Sequence, residues 1–283
     1  MKRHNDGTPF IVPSLILIAL ITVYPAVYAL YLSFHRKLPI FGISRFTGLD
    51  NYLFLIGDER FWNAFRNTLY FTVVSVTLEL ILGLAIAVLL DKAFRMRGIV
   101  RAIVLVPWAI PTVVSAKMWE WMYNSDFGIL NYLLGTDINW LGSPFWALNG
   151  AVFMDVWKTT PFVAILLMAG LQVIPRELYK AARVDGAGSL DIFRRITLPL
   201  LKPVILVVLT FRTLDAFRIF DAVYVLTGGG PANTTETLSI YAYKMLFQTL
   251  QFGYGSTLAI MVFLCVGMIS LFYARLLRGG IAA

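Results

Sequence analysis

Six stretches of this chain are apolar for about 20 residues or more, the length needed to cross the hydrocarbon of a bilayer as a helix. They are Phe10–Phe34, Thr68–Leu90, Ala102–Tyr123, Ala147–Ile174, Val204–Leu226 and Thr257–Leu277, and together they hold 142 of the 283 residues. Inside lipid every backbone N–H and C=O must bond within the protein, so the runs predict helices rather than open strands. Composition agrees: 59% of the residues are hydrophobic and 14% charged, far from a soluble domain. The sequence therefore predicts an all-α integral membrane protein, one transmembrane domain over 1–283. The first run is about twice the length of a signal-peptide core and carries Pro13 and Pro25, and it reads as a retained span.

The net charge of +8 is distributed unevenly. With the N-terminus cytoplasmic, 14 basic residues lie inside: Lys2, Arg3, Lys92, Arg95, Arg97, Arg101, Arg176, Lys180, Arg183, Arg194, Arg195, Lys202, Arg275 and Arg278. Only 6 lie outside, namely Arg36, Lys37, Arg45, Arg60, Arg66 and Lys244. The positive-inside bias predicts both termini in the cytoplasm. The same clustering reads the basic excess as membrane orientation, with no nucleic-acid partner.

Several chemistries have no support. The chain has no G-x-x-x-x-G-K-[ST] and so no P-loop of its own. Its two histidines, His4 and His35, have no partner at ligand spacing, and Cys265 is the single cysteine. No catalytic constellation, no metal site and no cofactor are expected in this chain. Whatever drives it comes from an ion gradient or from a partner.

The segment Pro175–Pro203 is the most informative connection. Arg176–Val184 are helix formers, with Pro175 suited to a first helical position. Gly186 and Gly188 permit a reversal, Ser189 can cap a second short helix, and Asp191 suits its first turn. Two short helices joined at the Asp185–Gly186 elbow are predicted on the cytoplasmic face. Ala181 and Ala182 leave one helix surface flat. Physical pattern alone is equally served by an interfacial amphipathic linker. The spacing A-A-x3-G-x9-I-x-L-P, realised as Ala181-Ala182, Gly186, Ile196 and Leu198-Pro199, resembles the cytoplasmic signature loop of permease subunits of bacterial ATP-binding-cassette importers. That resemblance implies a coupling helix seated in an ATPase subunit, with Glu177, Lys180, Ala181, Ala182, Asp185, Gly186, Ala187 and Phe193 at the contact. The family usually has Glu directly before the two alanines. Lys180 reverses that charge, leaving Glu177, or an acidic residue of the ATPase, to take the role.

The fifth run contains Arg212, Asp215, Arg218 and Asp221, three apart with alternating sign. On one helix they form a stripe in which neighbours pair. Charges there cost about 2.5–3.5 kcal/mol each on insertion scales, so they face the bundle interior or a wet cavity. A structural ion ladder and a wall of a polar path both fit, Arg212 and Asp215 nearer the path and Arg218 and Asp221 structural. Glu79, Lys117 and Glu120 are further charges in or near spans, with Lys117 and Glu120 spaced to pair. Beyond the fifth run, Tyr224–Pro231 ends in three glycines and a proline, a tight outer turn. This segment, with Phe252-Gly-Tyr-Gly-Ser256, Phe46–Tyr52 and Pro107–Thr112, resembles the carbohydrate branch of those permeases, the maltose-type first subunit.

A sugar needs an aromatic plate and directional hydrogen-bonding groups. Trp108 and Thr112 are four apart, and so on one helix face, each directly after a proline, Pro107 and Pro111. Asp155, Lys158, Thr159 and Phe162 share a helix face, and the fifth run offers Arg212, Asp215, Ala216 and Ile219. These ten positions match those at which the maltose-type subunit holds its sugar, although the identities here are more charged. Plain helix packing for Trp108 and Phe162, and an Asp155–Lys158 ion pair, are the alternatives. The strings D-V-W-K-T-T-P-F and F-R-T-L-D-A-F-R-I-F-D look most like permeases for trehalose and related disaccharides.

The resemblance implies a six-helix type I importer permease in the bacterial inner membrane. Its partners would be a second homologous permease, two ATPase subunits that carry ATP and Mg, and an extracytoplasmic solute-binding protein. Alternatives are the same machine for glycerol phosphodiesters or oligosaccharides, an ion-coupled secondary transporter, or a membrane scaffold.

Overall fold

A computed structural model describes residues 8–92 and 95–281. Lys2, Arg3 and His4 lie outside the described residues. The order of elements is α1 (Thr8–Ile18), a π-helical turn at Ala19–Val23, α2 (Tyr24–Ser33), β1 (His35–Leu38), a 3-10 turn at Pro39–Phe41, β2 (Ile43–Phe46), α3 (Asp50–Gly57) and α4 (Glu59–Asp91). Then come α5 (Arg97–Ala109), α6 (Thr112–Met122), α7 (Ile129–Leu134), α8 (Pro144–Val173), α9 (Arg176–Val184) and α10 (Ser189–Ile192). A second π-helical turn, Phe193–Thr197, leads into α11 (Leu198–Phe217), α12 (Asp221–Thr227), α13 (Leu238–Tyr243), a third at Lys244–Gln248, and α14 (Phe252–Ile281).

Among the described residues four helices are long and apolar enough to cross a membrane, at Ile11–Ser33, Glu59–Asp91, Pro144–Val173 and Phe252–Arg278. The third predicted run is two helices, α5 and α6, bent by 91° at their junction, and makes a fifth if counted as one broken span. The cause is local. Pro111 has no N–H to continue the ladder, and it holds the preceding Ile110 extended at ψ 133°. The fifth predicted run is also interrupted: α11 ends at Phe217 and α12 begins at Asp221. The break sets Arg218 at the C-terminal end of one helix and Asp221 in the first turn of the next, where each sign opposes the helix dipole. It also corrects the expectation of one continuous ion stripe.

The chain divides into two units, each with its own packing. The first comprises Met1–Phe61 and Tyr241–Leu264. Here β1 and β2 pair antiparallel from His35↔Phe46 to Leu38↔Ile43, a hairpin that the all-α expectation lacked. Gly42 closes it at φ +63°, a conformation that glycine adopts without strain. The Asn51 amide donates to the carbonyls of Ser33 and His35, and Asp58 accepts from the hydroxyls of Tyr241 and Tyr254.

The second unit comprises Trp62–Ile240 and Cys265–Ala283 and carries the predicted site. Its scaffold is α8, of whose 30 residues half are buried. One apolar cluster gathers Phe71, Met154, Trp140 and Val223, and a second gathers Ala87, Val163, Leu167 and Leu201. Glycines let backbones approach: a Cβ on Gly83 would stand 2.6 Å from Val163 Cγ1, and one on Gly170 would stand 2.8 Å from Leu201 and Val204 side chains. Hydroxyls inside α4 bond to their own helix, Thr72 to the Thr68 carbonyl and Ser75 to the Phe71 carbonyl, each at 2.7 Å.

The glycine-rich turn after α12 is pinned to α4. The Asn67 amide donates to the Thr234 and Glu236 carbonyls at 2.9 and 3.0 Å, and Asn63 donates to the Asn233 carbonyl at 2.9 Å. Gly228 and Gly229 take φ of +59° and +90° there, as expected of a glycine-rich turn.

Candidate functional site

A cavity of about 830 Å³ opens in the second unit among α5, α6, α8, α11 and α12. All ten residues singled out from the sequence line it: Trp108, Thr112, Asp155, Lys158, Thr159, Phe162, Arg212, Asp215, Ala216 and Ile219. Phe211, Leu214, Arg218, Phe220 and Asp221 complete the wall. Trp108 and Thr112 reach it from different helices across the α5–α6 bend, not from one helical face as their spacing of four implied.

Arg212 organises the polar side. It is 3% exposed, and its guanidinium meets three carboxylates. Nε donates to Glu79 Oε2 at 2.6 Å and Nη2 to Glu79 Oε1 at 2.8 Å, a bidentate fork. Nη2 also reaches Asp155 Oδ2 at 3.1 Å, and Nη1 donates to Asp215 Oδ2 at 2.6 Å. The Thr159 hydroxyl lies 2.6 Å from both Glu79 Oε1 and the Asp155 carbonyl. A buried arginine is tolerable only with such pairing, because an isolated charge there would cost several kcal/mol.

The alternative of an Asp155–Lys158 pair does not appear among the described ion pairs. Lys158 Nζ instead approaches the Trp108 carbonyl at 3.5 Å, and Asp155 is drawn to Arg212. Lys117 and Glu120 do pair, at 2.5 Å. In the predicted ladder only the Arg212–Asp215 step is an ion pair among those described. The division of roles also shifts: Arg218 and Asp221 are exposed on the cavity wall, while Arg212 is the buried cross-link. The apolar wall carries the Trp108 and Phe162 rings, stacked at 5.7 Å with 20° between planes.

In the sequence Glu79 reads as a charge within a span and has no place among the candidate site residues. It lies on α4, fully buried, 133 residues from its partner. Its only sequence signal is a lone carboxylate in an otherwise apolar run, which calls for a buried cation without saying which.

Pro175–Pro203 adopts the two predicted short helices, with register differences of one residue. Pro175 is the residue before α9, and Ser189 is the first residue of α10, with no side-chain cap there. Gly186 takes φ +79° at the elbow, whereas Gly188 has φ −70° and needs no glycine freedom. The Ala187 N–H closes α9 on the Ala182 carbonyl at 2.9 Å. Glu177, Lys180, Ala181 and Asp185 are exposed, Ala182, Ala187 and Phe193 partly so, and Val184 is left 87% exposed.

A polar cavity walled by broken helices, together with a helical elbow that presents bare apolar side chains, fits the membrane-embedded subunit of a transport system. The chain belongs to the family of binding-protein-dependent transport system inner membrane components, which its residues 79–281 match. The trehalose/maltose transport system permease protein MalF of Thermococcus litoralis is 43% identical over 98% of this chain and 95% of its own length. The sulfoquinovosyl glycerol transport system permease protein SmoG of Agrobacterium fabrum is 39% identical over 94% of this chain and 88% of its own. Among solved structures, a bacterial ABC transporter involved in import of the acidic polysaccharide alginate superposes with a TM-score of 0.84, at 24% identity, over 95% of this chain and 94% of that one. The fold is thus the helical type I importer permease fold. The chain is a non-catalytic permease subunit of an ATP-binding-cassette importer, a multi-pass protein of the inner membrane, and ATP hydrolysis belongs to separate subunits. The ion-coupled transporter and scaffold readings give way to it.

Proposed function

We propose that this permease carries a disaccharide of the trehalose or maltose kind through the cavity between α5, α6, α8, α11 and α12. The observation that carries the reading is the convergence of a stacked aromatic pair with Thr159, Lys158, Asp155, Arg212 and Asp215 around one space. An aromatic face suits the apolar side of a sugar ring, and carboxylates and cations suit its hydroxyls. The relative at 43% identity supports this class of solute.

In this reading 1–283 is one transmembrane domain crossing six times with both termini cytoplasmic. The α5–α6 pair is one broken crossing. Helix α11 is another, its Lys202, Arg212 and Asp215 tolerated because two of them face the cavity. The subunit pairs with a second permease and two ATPase subunits, and a solute-binding protein delivers sugar from outside. The α9–α10 elbow seats in the ATPase, with Glu177, Lys180, Ala181, Ala182, Asp185, Gly186, Ala187 and Phe193 at the contact and the exposed Val184 beside them. ATP binding closes the ATPases, moves the elbow and turns the cavity outward, and hydrolysis resets it. A second solute, a sulfonated sugar glycoside, is favoured by the SmoG relative and by Lys158, which has no carboxylate partner among the described ion pairs. ATP-driven uptake by the reconstituted complex, with trehalose, maltose and a sulfonated glycoside in competition, separates the two.

A further inference from the structure

Three cations and three carboxylates line the cavity: Lys158, Arg212 and Arg218 against Asp155, Asp215 and Asp221. Behind that wall stands Glu79, fully buried, which brings the formal balance to four carboxylates against three cations. Its carboxylate occupies Nε and one side of Nη2 of Arg212, and the Thr159 hydroxyl fixes the same Oε1 at 2.6 Å. Glu79 is absent from the cavity lining, so its effect on a solute runs through Arg212. A free guanidinium is the strongest side-chain ligand for a carboxylate or sulfonate, because its donors form a planar fork. Here the fork is already filled.

We propose that Glu79 is a specificity-determining positioning residue. By filling Nε and one side of Nη2 of Arg212, it makes the path accept uncharged polyhydroxylated solutes and discriminate against acidic ones. The proposal rests on the reading of the cavity as the sugar path. Removal of the Glu79 charge would leave three carboxylates against three cations, free Nε, and leave Nη2 held by Asp155 alone. Glutamine in its place keeps the volume, offers a single acceptor and sets an amide N–H₂ against a guanidinium that also only donates.

The test is ATP-driven uptake of labelled trehalose by the complete complex in proteoliposomes, per assembled complex, with competition by a neutral disaccharide and by the corresponding uronic-acid disaccharide. Glu79→Gln is expected to raise the KM for trehalose about tenfold, and to improve competition by the acid relative to the neutral sugar by about the same factor, as one lost or gained charged fork implies. A merely structural role would lower the amount of complex or Vmax and leave that ratio unmoved. An unmoved ratio overturns the proposal. Glu79→Asp keeps the charge and shortens the reach, and is expected to raise KM while retaining the preference for the neutral sugar. If Glu79→Gln yields no complex, an unchanged KM in Glu79→Asp overturns the proposal on its own. Trp108→Ala separates the two levels. If it raises KM while Glu79→Gln leaves the ratio unmoved, the Glu79 role fails and the path stands. If neither variant moves KM, the path reading fails.

Discussion

The rings of Trp108 and Phe162 stack at 5.7 Å between α5 and α8, on the wall of the cavity that Arg212 also lines. Trp108 is 47% exposed, so the pair is an available plate and not a sealed core contact. An aromatic contact of this kind is worth about 0.5–1.5 kcal/mol, equivalent to roughly two- to twelvefold in affinity. Trp108→Ala is expected to raise the KM for uptake within that range, with Vmax per complex little changed. Initial-rate kinetics in proteoliposomes read this directly, and an unaltered KM would take the plate out of the path.

Arg212 balances buried carboxylates, so its removal should act on stability before transport. Arg212→Met leaves Glu79 and Asp155 enclosed without their cation, at a cost of about 3–5 kcal/mol. A lower melting temperature in detergent is expected. Glu79→Met combined with Arg212→Met should recover part of the loss, since two apolar side chains replace one ion pair. A double variant no better than the single would show that the pairing is not what stabilises this region.

Gly83 should reverse the usual helix preference. Alanine in place of glycine inside a helix ordinarily stabilises by about 0.5–1 kcal/mol. Here the added Cβ meets Val163 at 2.6 and 2.9 Å and the Ala164 backbone N at 3.3 Å. Overpacking of this kind costs about 1–3 kcal/mol. Gly83→Ala is therefore expected to melt lower, whereas Gly267→Ala, with nothing within 4 Å, should not.

Asn67 holds the glycine-rich turn after α12 by two hydrogen bonds. Asn67→Ala leaves the Thr234 and Glu236 carbonyls without that donor, a loss of about 1–3 kcal/mol. Faster hydrogen exchange over residues 228–238 is the expected result, read by mass spectrometry on the complex, with the Asp58–Tyr241–Tyr254 network as an internal reference. Equal exchange in the two proteins would show that the glycine turn holds its shape unaided.

Gly186 sits at φ +79° with open space where a Cβ would be, so its constraint is conformational and not steric. Proline, fixed near −65°, cannot take that value, whereas asparagine reaches the left-handed region at small cost. Gly186→Pro is expected to leave the spans folded and to separate ATP hydrolysis from uptake, with Gly186→Asn close to the parent. Fully coupled uptake in Gly186→Pro would remove the elbow from the transmission path.

Much of the architecture is legible along the chain because lipid imposes a simple rule on it: apolar runs of sufficient length become helices. The elbow at Asp185–Gly186 was legible for a related reason, since helix formers, a glycine and the re-entrant prolines act over a few residues. Even the ten cavity residues could be nominated, from spacing and family pattern together. Local pattern misled where neighbouring elements decide. The charge stripe from Arg212 to Asp221 reads as one helix, yet the chain breaks at Arg218–Phe220. The Asp155–Lys158 spacing reads as a pair, yet Asp155 turns to Arg212.

The sequence by itself determined that the chain lives in lipid, where its helices run, and that a few charges inside them must find company. Tertiary structure alone decided which company. Glu79 and Arg212 are 133 residues apart, and no periodicity links α4 to α11. Only packing of both helices against α8, with Gly83 and Gly170 permitting the close approach, brings carboxylate and guanidinium to 2.6 Å. The physical reason is one of range: helix formation is read from neighbours within a turn or two, whereas the burial of a charge is settled by whatever the fold sets opposite it.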